Sequence, residues 1–270
     1  MIDSHCHLTC EELAGQLGCV LSRAAAAGVV RMMTIGTSLA DGRRAVELCR
    51  ARSQIRCVVG IDPHHSQAAT EEDLSGLAEL EREPEVLALG EMGLDYHHDF
   101  SPRARQREVF LRQLELARAR GRVIVVHCRE AMDDCLGILK DYAEIRGVFH
   151  CFTGSVEEAR RILDRGYLLG FTGVVTFRKS EVVREVVRLA PADRMLIESD
   201  APYLSPEPLR RQQVNEPALI VHTAAAIAKI KRMSMEELDG VTSGNVGRLF
   251  GWWGSGEAAG AGRESGIADG

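Results

Sequence analysis

The chain has 270 residues, of which 45% are hydrophobic and 27% are charged, a composition typical of a globular protein with a large core. The formal net charge of −6 argues against binding nucleic acid through overall charge, so a polyanionic substrate would need a local cationic site. We find no secretory leader and no apolar stretch long enough to span a bilayer, and the eight cysteines lack close Cys-x-x-Cys pairs, so we expect a cytoplasmic protein with buried thiols.

The first predicted strand covers residues 1–4 and leads into His5 and His7. Because side chains alternate along an extended segment, both imidazoles point to the same side and can bind one divalent cation. Apolar residues with helical spacing predict a helix over 11–28. A strand over 29–36, a helix over 39–52 and a strand over 55–61 follow, and the last of these leads to Asp62, His64 and His65.

The middle and the end of the chain continue this alternation. Thr70 is predicted to cap a helix that ends before Pro84, and a strand over 86–90 then leads to Glu91. After an arginine-rich helix over 101–120, four consecutive β-branched residues at 123–126 indicate a strand that is buried on both faces and ends at His127. The remaining predicted elements are helices over 130–144, 156–165, 180–189, 217–230 and 234–250, and strands over 148–149, 167–171 and 195–197 that lead to His150 and Asp200.

Eight strands that alternate with helices predict an α/β fold, a parallel (β/α)₈ TIM barrel that forms a single domain over residues 1–250. Residues 251–270 are rich in Gly, Ala, Ser and Glu and predict a flexible, disordered tail. In such a barrel the loops that follow the strands share one face, and this face carries the chemistry. Eight of the nine histidines, all but His222, lie at or just after a predicted strand end, which indicates a functional site there.

Six residues at these strand ends are candidate metal ligands: His5, His7, Glu91, His127, His150 and Asp200. Imidazoles and carboxylates suit Zn²⁺ or Mn²⁺, and the carboxylates leave Mg²⁺ open. One carboxylate can bridge two cations about 3.5–4 Å apart, as in two-metal hydrolysis, and Glu91 is the candidate bridge. We therefore expect two divalent metal ions, with Glu91 and Asp200 as catalytic residues and Asp200 orienting or deprotonating a water.

Eight segments occur in a characteristic order and spacing: DSHCHL at 3–8, GEMGLDY at 90–96, HCR at 127–129, HCFTG at 150–154, FTGVVTF at 171–177, ESDAPYL at 198–204, NEP at 215–217 and NVGRLF at 245–250. Together they resemble the TatD family of metal-dependent hydrolases. The resemblance implies a TIM barrel of the amidohydrolase superfamily that acts as a metal-dependent DNase, often as a 3′-to-5′ exonuclease. It also implies that His5, His7, Glu91 and Asp200 hold one metal ion, and that Glu91, His127 and His150 hold the other.

Position 62 departs from the family pattern. The family usually has a histidine, in a Gly-x-His-Pro pattern, where this chain has Asp62. That histidine is expected to face the substrate phosphate, whereas an aspartate would repel the phosphate or bind metal instead. His64 or His65 could compensate, and the departure bears on DNA cleavage rather than on metal binding.

Four further residues are candidate substrate contacts with structural alternatives. Arg129 and Tyr203 could bind a phosphate or stack on a base, or they could form an ion pair and a rim aromatic. Thr153 could donate a hydrogen bond in the mouth of the barrel, and Tyr96 could contact the substrate or simply cover that mouth. The seven arginines within 103–122 are better explained by a solvent-exposed helix face with Glu108–Arg112 and Glu115–Arg118 pairs than by nucleic-acid binding.

Three functions remain open from the sequence, and the first is hydrolysis of a phosphodiester bond in DNA or in a small phosphodiester. The second is hydrolysis of a carbonyl bond, such as a D-aminoacyl-tRNA ester or a cyclic amide. In many barrels of the amidohydrolase superfamily, a carboxylated lysine bridges the two metal ions. No lysine occurs near Glu91 in this chain, and its absence favours hydrolysis of a phosphodiester bond. The third is a metal-containing binding protein in which Asp62 impairs catalysis. We expect a monomeric DNase with no membrane or protein partner.

Overall fold

The eight predicted strands pair in sequence order as one parallel sheet, which confirms the (β/α)₈ TIM barrel. The computed structural model describes residues 1–98, 100–211 and 214–252. The strands are β1 (Ile2–Cys6), β2 (Arg31–Gly36), β3 (Ile55–Val59), β4 (Val86–Asp95), β5 (Ile124–Arg129), β6 (Gly147–Phe149), β7 (Leu168–Phe171) and β8 (Met195–Ile197). Each strand pairs in parallel with the next strand along the chain, so all eight strands begin at the same end of the sheet.

The sheet closes where the end of β8 meets the end of β1. The Asp200 amide donates a hydrogen bond of 2.9 Å to the His5 carbonyl, and the His7 amide donates one of 2.7 Å to the Ala201 carbonyl. The Ser4 hydroxyl adds a bond of 3.0 Å to the Ile197 carbonyl. These contacts bring the first and last candidate metal ligands side by side.

Ten helices lie between and after the strands in the described residues. They are α1 (Glu11–Ala14), α2 (Leu17–Ala26), α3 (Leu39–Ala51), α4 (Glu71–Leu80), α5 (Arg103–Arg120), α6 (Met132–Leu139), α7 (Val156–Asp164), α8 (Glu181–Leu189), α9 (Ile220–Lys231) and α10 (Met235–Phe250). Short 3₁₀ turns cover Lys140–Tyr142, Gly173–Thr176, Ala192–Arg194 and Pro217–Leu219. Thr70, Ser155 and Ser234 each form a capping box, as predicted for the start of α4. In the part of the chain that the structure covers, no helix is both long and apolar enough to cross a membrane.

Three predicted helices differ from the observed ones. The helix predicted over 11–28 is broken at Gly15, a poor helix former, and Gln16 has non-helical dihedral angles that start a second helix. The helix predicted over 217–230 begins as a 3₁₀ turn, and that predicted over 130–144 ends in one. Residues 253–270, most of the predicted tail, lie outside the described residues.

Residues of alternate strand positions fill the interior of the barrel. This inner cluster contains Ile2, Met33, Ile35, Val58, Ala88, Val125, Val148, Leu168 and Leu196, together with Val246, Leu249 and Phe250 of α10. The Met1 amino group lies 3.2 Å from Asp239 of α10, so this helix covers the end at which the strands begin. The opposite end is left for the site. All eight cysteines are free thiols, and Cys19 is exposed rather than buried as predicted.

The helix α5 carries its arginines on an ion-paired outer face, as predicted, but one predicted partner is wrong. Glu115 pairs with Arg118 at 2.5 Å, whereas Glu108 pairs with Arg105 at 2.7 Å instead of with Arg112. Arg112 reaches across to Glu71 of α4, at 2.7 Å, because the two helices pack side by side. Five of the six arginines of α5 therefore pair with neighbouring carboxylates.

The strand β4 is five residues longer than predicted, because Gly93 allows its backbone to pair with β5 beyond residue 90. A strand over 86–90 was expected to end at Gly90, yet pairing with β5 continues to Asp95. Gly93 has φ +143°, and a Cβ at this position would lie 2.0 Å from the His127 carbonyl oxygen. Only glycine allows so close an approach of the two backbones, which sets Glu91 beside His127.

Candidate metal centre

The carboxyl ends of five strands bring the six predicted metal ligands together. His5 lies in β1, Glu91 in β4 and His127 in β5, while His7, His150 and Asp200 follow β1, β6 and β8 directly or within a few residues. His5, Glu91, His150 and Asp200 are buried, and the other two are half-buried. Ligands separated by almost 200 positions in sequence thus share one end of the barrel.

The two carboxylate oxygens of Glu91 face different histidines. Oε2 lies 3.3 Å from Nε2 of His5. Oε1 lies 2.6 Å from Nδ1 of His127 and 2.8 Å from Nε2 of His150. Glu91 therefore stands between two sets of ligands, as a bridging carboxylate would.

Asp200 completes the set that contains His5. Its Oδ1 lies 3.4 Å from Nε2 of His7 and 3.7 Å from Nε2 of His5. The Asp200 backbone is left-handed, with φ +54°, and is held by its bond to the His5 carbonyl. Non-glycine residues in this conformation are concentrated at functional sites, because the surrounding structure must stabilise them.

The unsatisfied polar atoms of the site fit a divalent cation. Nε2 of His5, which faces Glu91 and Asp200, is buried without a hydrogen-bond partner. The distances from His5 and His7 to the carboxylates exceed those of good hydrogen bonds and are close to the separation, roughly 3.0–3.4 Å, of two ligands about 2.1 Å from one ion. Two groups bring their potential ligand atoms within 4.8 Å of one another, namely His5, His7 and Asp200, and His5, Glu91 and His150.

The pKa shifts favour cation binding at His5 and Glu91. Burial lowers the pKa of His5 to about 4, so the ring is neutral at pH 7 and keeps a free lone pair. Burial alone would raise the pKa of Glu91, but His150, His127 and His5 outweigh it and hold that pKa well below its usual range. For His127, burial opposes the charge, yet hydrogen bonds to Asp95 and Glu91 raise the pKa to about 10.

Asp95 is a central residue that the sequence prediction missed. Its fully buried carboxylate Oδ2 lies 2.8 Å from Nε2 of His64, 2.8 Å from Nδ1 of His98 and 3.2 Å from Nε2 of His127. The other oxygen accepts the backbone amides of His97 and His98 at 2.9 Å. Although burial opposes ionisation, these contacts hold the pKa of Asp95 well below its usual range. Asp95 thus fixes His127 with Nδ1 towards Glu91, the arrangement in which a carboxylate orients a metal-binding histidine.

The group of His64, Asp95 and His98 also brings three possible ligand atoms within 4.8 Å. Both imidazoles lie at ordinary hydrogen-bond length from the carboxylate, and each of its oxygens has several partners. We therefore describe this group as a hydrogen-bond network that supports the centre. Asp95 lies four residues after Glu91 on β4, but the sequence prediction ended this strand at Gly90 and so gave no reason to place Asp95 in the site.

A cavity of about 650 Å³ is lined by five of the six candidate ligands, all but the fully buried His5. Six of the predicted substrate contacts line it: Asp62, His64, His65, Arg129, Thr153 and Tyr203. Tyr96 does not line the cavity, because its hydroxyl donates to Asp134 at 2.6 Å and Arg103 covers its ring at 4.2 Å. Phe100, which the prediction missed, lines the cavity with 64% of its surface exposed and stacks on His98.

Asp62 lines the cavity, but its carboxylate is hydrogen-bonded to His65 and is not one of the six candidate metal ligands. Its Oδ1 lies 2.7 Å from Nδ1 of His65 and accepts the backbone amide of the same residue at 2.8 Å. The side chain is 9% exposed, whereas that of His65 is 53% exposed. The negative charge at position 62 is therefore directed at an imidazole three residues along the chain.

Two further residues hold the loop that follows Asp200. Asn215 donates from Nδ2 to the carbonyls of Ser199 and Tyr203, at 2.7 and 2.5 Å. Glu216 binds Arg23 of α2 through both carboxylate oxygens, with the shortest contact at 2.5 Å. These residues shape the site without facing it, which accounts for the segment 215–217 among the motifs.

The chain is similar to known proteins over more than nine tenths of its length. The family model described as "TatD related DNase" matches residues 2–251. The chain is 40% identical over 252 residues to the "Uncharacterized metal-dependent hydrolase YabD" of Bacillus subtilis (strain 168), covering 93% of this chain and 98% of that protein. It is 36% identical to the "3'-5' ssDNA/RNA exonuclease TatD" of Cronobacter turicensis, covering 93% and 97%. The crystal structure of YJJV, a TatD homolog from Escherichia coli K12, is similar with a TM-score of 0.88 and 28% identity, covering 93% and 98%.

Proposed function

The chain belongs to the family of TatD related DNases, and from this we propose that it is a metal-dependent hydrolase that removes nucleotides from the 3′ end of single-stranded DNA. The relatives named as metal-dependent hydrolases and as a single-strand exonuclease support the reaction class. The cavity above the candidate ligands is lined by polar and aromatic side chains.

The single observation that carries the proposal is the position of Glu91. One of its oxygens faces His5, and the other faces His127 and His150. Two cations bridged by this carboxylate would be held by His5, His7 and Asp200 on one side and by His127 and His150 on the other. Zn²⁺, Mn²⁺ and Mg²⁺ all accept these ligand types. Such a pair supplies positive charge at the phosphate oxygens and a water of lowered pKa.

In this proposal, different side chains activate the water, bind the phosphate and stack on the bases. Asp200 orients the attacking water and accepts its proton; although burial opposes ionisation, the neighbouring histidines lower the pKa of Asp200, so that it is a carboxylate at neutral pH. Arg129 and Thr153 bind the non-bridging phosphate oxygens. Tyr203 and Phe100, both exposed in the cavity, stack on bases of the strand.

In this proposal, positive charge at the site, rather than the net charge of the protein, binds the DNA strand. The protein carries a net charge of −6, so attraction of DNA depends on the cations and on Arg129 at the mouth. Every residue assigned here comes from one chain, so the proposed reaction needs no second copy. Salt should weaken binding only modestly, because few phosphates are contacted.

The experiment compares Glu91→Gln with wild-type protein on a 3′-labelled single strand in Mn²⁺, Mg²⁺ and Zn²⁺. Glu47→Gln, the same change on an exposed position of α3, is the matched control. We expect Glu91→Gln to lose at least about 10³-fold in kcat/KM, because the removed charge is the one shared by both ligand sets. Near wild-type cleavage by this variant would rule out the assigned centre. Cleavage of a D-aminoacyl-tRNA or a cyclic amide, with none of DNA, would overturn the substrate class.

A further inference from the structure

We infer that His65, held by Asp62, is the general acid that protonates the sugar oxygen leaving the phosphorus. This inference rests on the proposed phosphodiester hydrolysis and deepens it. His65 would be a catalytic residue, and Asp62 a positioning residue that acts through it. Neither residue belongs to the six metal ligands, and position 62 is where the sequence departs from the family pattern.

The geometry fixes one nitrogen of His65 and leaves the other free. Nδ1 lies 2.7 Å from Asp62 Oδ1, and the same oxygen accepts the His65 amide, so the ring and the backbone are held by one carboxylate. Among the described residues, no protein group forms a hydrogen bond with Nε2. The ring is half-exposed and lines the cavity that also contains Glu91 and Asp200.

Asp62 is itself held rigidly, as a positioning residue must be. Its amide donates to the Thr37 carbonyl at 3.1 Å, and its carbonyl accepts the Ser66 hydroxyl at 3.0 Å. The carboxylate is almost fully buried behind the imidazole. Hydrogen bonding of Nδ1 to a fixed carboxylate selects the tautomer that carries a proton on Nδ1 and, once the ring is charged, a second proton on Nε2.

The charges around His65 favour that second proton. The hydrogen bond to Asp62 is the main cause of a raised pKa at His65, burial opposes it, and the charges of Asp62, Asp41 and Glu91 add to it. Three other charged or titratable groups lie near this loop. They are His64 on the loop itself, Arg44 of α3, which is paired with Asp41 at 2.9 Å, and Arg105 of α5, which donates to the Ser66 carbonyl at 3.2 Å. The charges of three carboxylates thus favour a protonated His65, and both nearby arginines are already paired with carboxylates.

The chemical step is balanced without any further reactant. Water attacks the phosphorus and gives its proton to Asp200, and the bond from phosphorus to the sugar oxygen breaks with its electron pair on that oxygen. The proton on Nε2 of His65 passes to the oxygen, which leaves as a neutral alcohol. His65 then regains a proton from solvent and Asp200 releases one, so the net reaction is phosphodiester plus water giving phosphomonoester plus alcohol.

The test uses two substrates that share a product and differ in their leaving group. In the dinucleotide dTpdT a poor leaving group, a sugar alkoxide, departs from the terminal 5′-phosphate. In thymidine 5′-(p-nitrophenyl) phosphate the leaving group is p-nitrophenolate, which departs without a proton. We expect His65→Gln to lower kcat for dTpdT about 10²-fold and to change kcat for the aryl ester less than about threefold. His97→Gln is the matched control, because His97 pairs with Glu130 at 2.7 Å and does not line the cavity.

Equal losses on both substrates, or no loss on either, would overturn the acid role, because phosphate binding or structural support affects both esters alike. Glu91→Gln is expected to lose both activities. A wild-type protein that cleaves neither ester would overturn the proposed function and this inference with it. A wild-type protein that cleaves both, with equal losses in His65→Gln, would overturn the inference alone.

A second variant, Asp62→Asn, tests the role of Asp62 through the pH dependence of kcat, which a purely structural role of Asp62 would leave unchanged. The rate with dTpdT should fall as pH rises through the pKa of His65, because the acid must be protonated. Removal of the Asp62 charge lowers that pKa, so the alkaline fall in kcat should move to lower pH. The aryl ester should not show this fall. An unshifted profile in a folded Asp62→Asn protein would overturn the role given to Asp62.

Discussion

The imidazole rings of His5 and His150 stack with their centroids 4.0 Å apart and their planes 6° apart, although the strands β1 and β6 that carry them are not neighbours. Burial lowers the pKa of His5 to about 4, so this ring is neutral at pH 7 and the stack does not bring two cations into contact. Both rings face Glu91 through Nε2. The stack therefore holds the two Nε2 atoms beside the Glu91 carboxylate.

We expect divalent cations to stabilise the protein, because they would bind Nε2 of His5, which has no hydrogen-bond partner, together with the buried carboxylates of Glu91 and Asp200. A cation at 100 times its Kd adds about 2.7 kcal/mol to the free energy of unfolding, which corresponds to roughly 5–10 °C in Tm for a chain of this size. Differential scanning fluorimetry with Mn²⁺, Zn²⁺ and Mg²⁺, each reversed by EDTA, measures this shift. Asp200→Asn should reduce the shift, and Asp193→Asn, an exposed site, should not. If none of the three ions raises the Tm of the wild-type protein, the centre does not bind them.

Asp95→Asn should weaken metal binding although Asp95 is not among the six proposed ligands. The amide has one acceptor oxygen and no charge, so it cannot hold His64, His98 and His127 together. Loss of a residue that orients a ligand typically costs about 10–100-fold in metal affinity or activity. DNA cleavage measured against Mn²⁺ concentration should show a higher half-saturation, with partial recovery at high Mn²⁺. Asp134→Asn is the control on an exposed carboxylate, and a wild-type Mn²⁺ dependence in Asp95→Asn would contradict the role of Asp95.

Phe100→Ala should raise KM for a single strand and leave kcat and stability nearly unchanged. The side chain is 64% exposed, so its removal creates no cavity in the core. Stacking of a base on an aromatic side chain is worth about 1–3 kcal/mol, or roughly 5–150-fold in binding. Steady-state kinetics on an oligonucleotide measure the effect, Phe100→Trp should restore it, and Val182→Ala tests another exposed apolar residue. An unchanged KM would show that no base stacks on Phe100.

Gly93→Ala should destabilise the protein and disturb His127. The added Cβ would lie 2.0 Å from the His127 carbonyl oxygen, and the φ of +143° is unfavourable for alanine. We expect a loss of roughly 2–4 kcal/mol in the free energy of unfolding, measured by denaturant titration. Gly137→Ala provides the contrast, since its Cβ would meet no atom within 4 Å and it lies in α6, where alanine is favoured by about 1 kcal/mol. Equal stability of the two variants would mean that β4 can move away from β5.

The strand ends could be predicted from sequence because a barrel strand is short, apolar and followed at once by a polar residue. His127 after four β-branched residues is the clearest example, and the barrel then brings such positions together. Glycine hid Asp95, because Gly90 and Gly93 are typical of a strand end and the pairing that continues through them depends on β5. The sequence therefore predicted a loop at the carboxylate that joins three histidines.

Side-chain direction was the part that local pattern could not supply. Tyr96 and Phe100 are both aromatic residues after the fourth strand, yet one is bound by Asp134 and Arg103 and the other faces the cavity. The partner of Arg112 lies on another helix, which helical spacing alone cannot reveal. The contact between Asp62 and His65 is local, but its meaning depends on the cavity that the barrel builds around it.

Closure of the barrel between β8 and β1 also has a consequence for synthesis. One ligand set needs His5 and His7 from the beginning of the chain and Asp200 from near its end, and hydrogen bonds at that seam hold them together. A polypeptide still emerging from the ribosome, amid messenger and ribosomal RNA, lacks that set until about three quarters of its length has been made. The topology thus delays any hydrolytic capacity until the chain has been made as far as Asp200 and the barrel has closed.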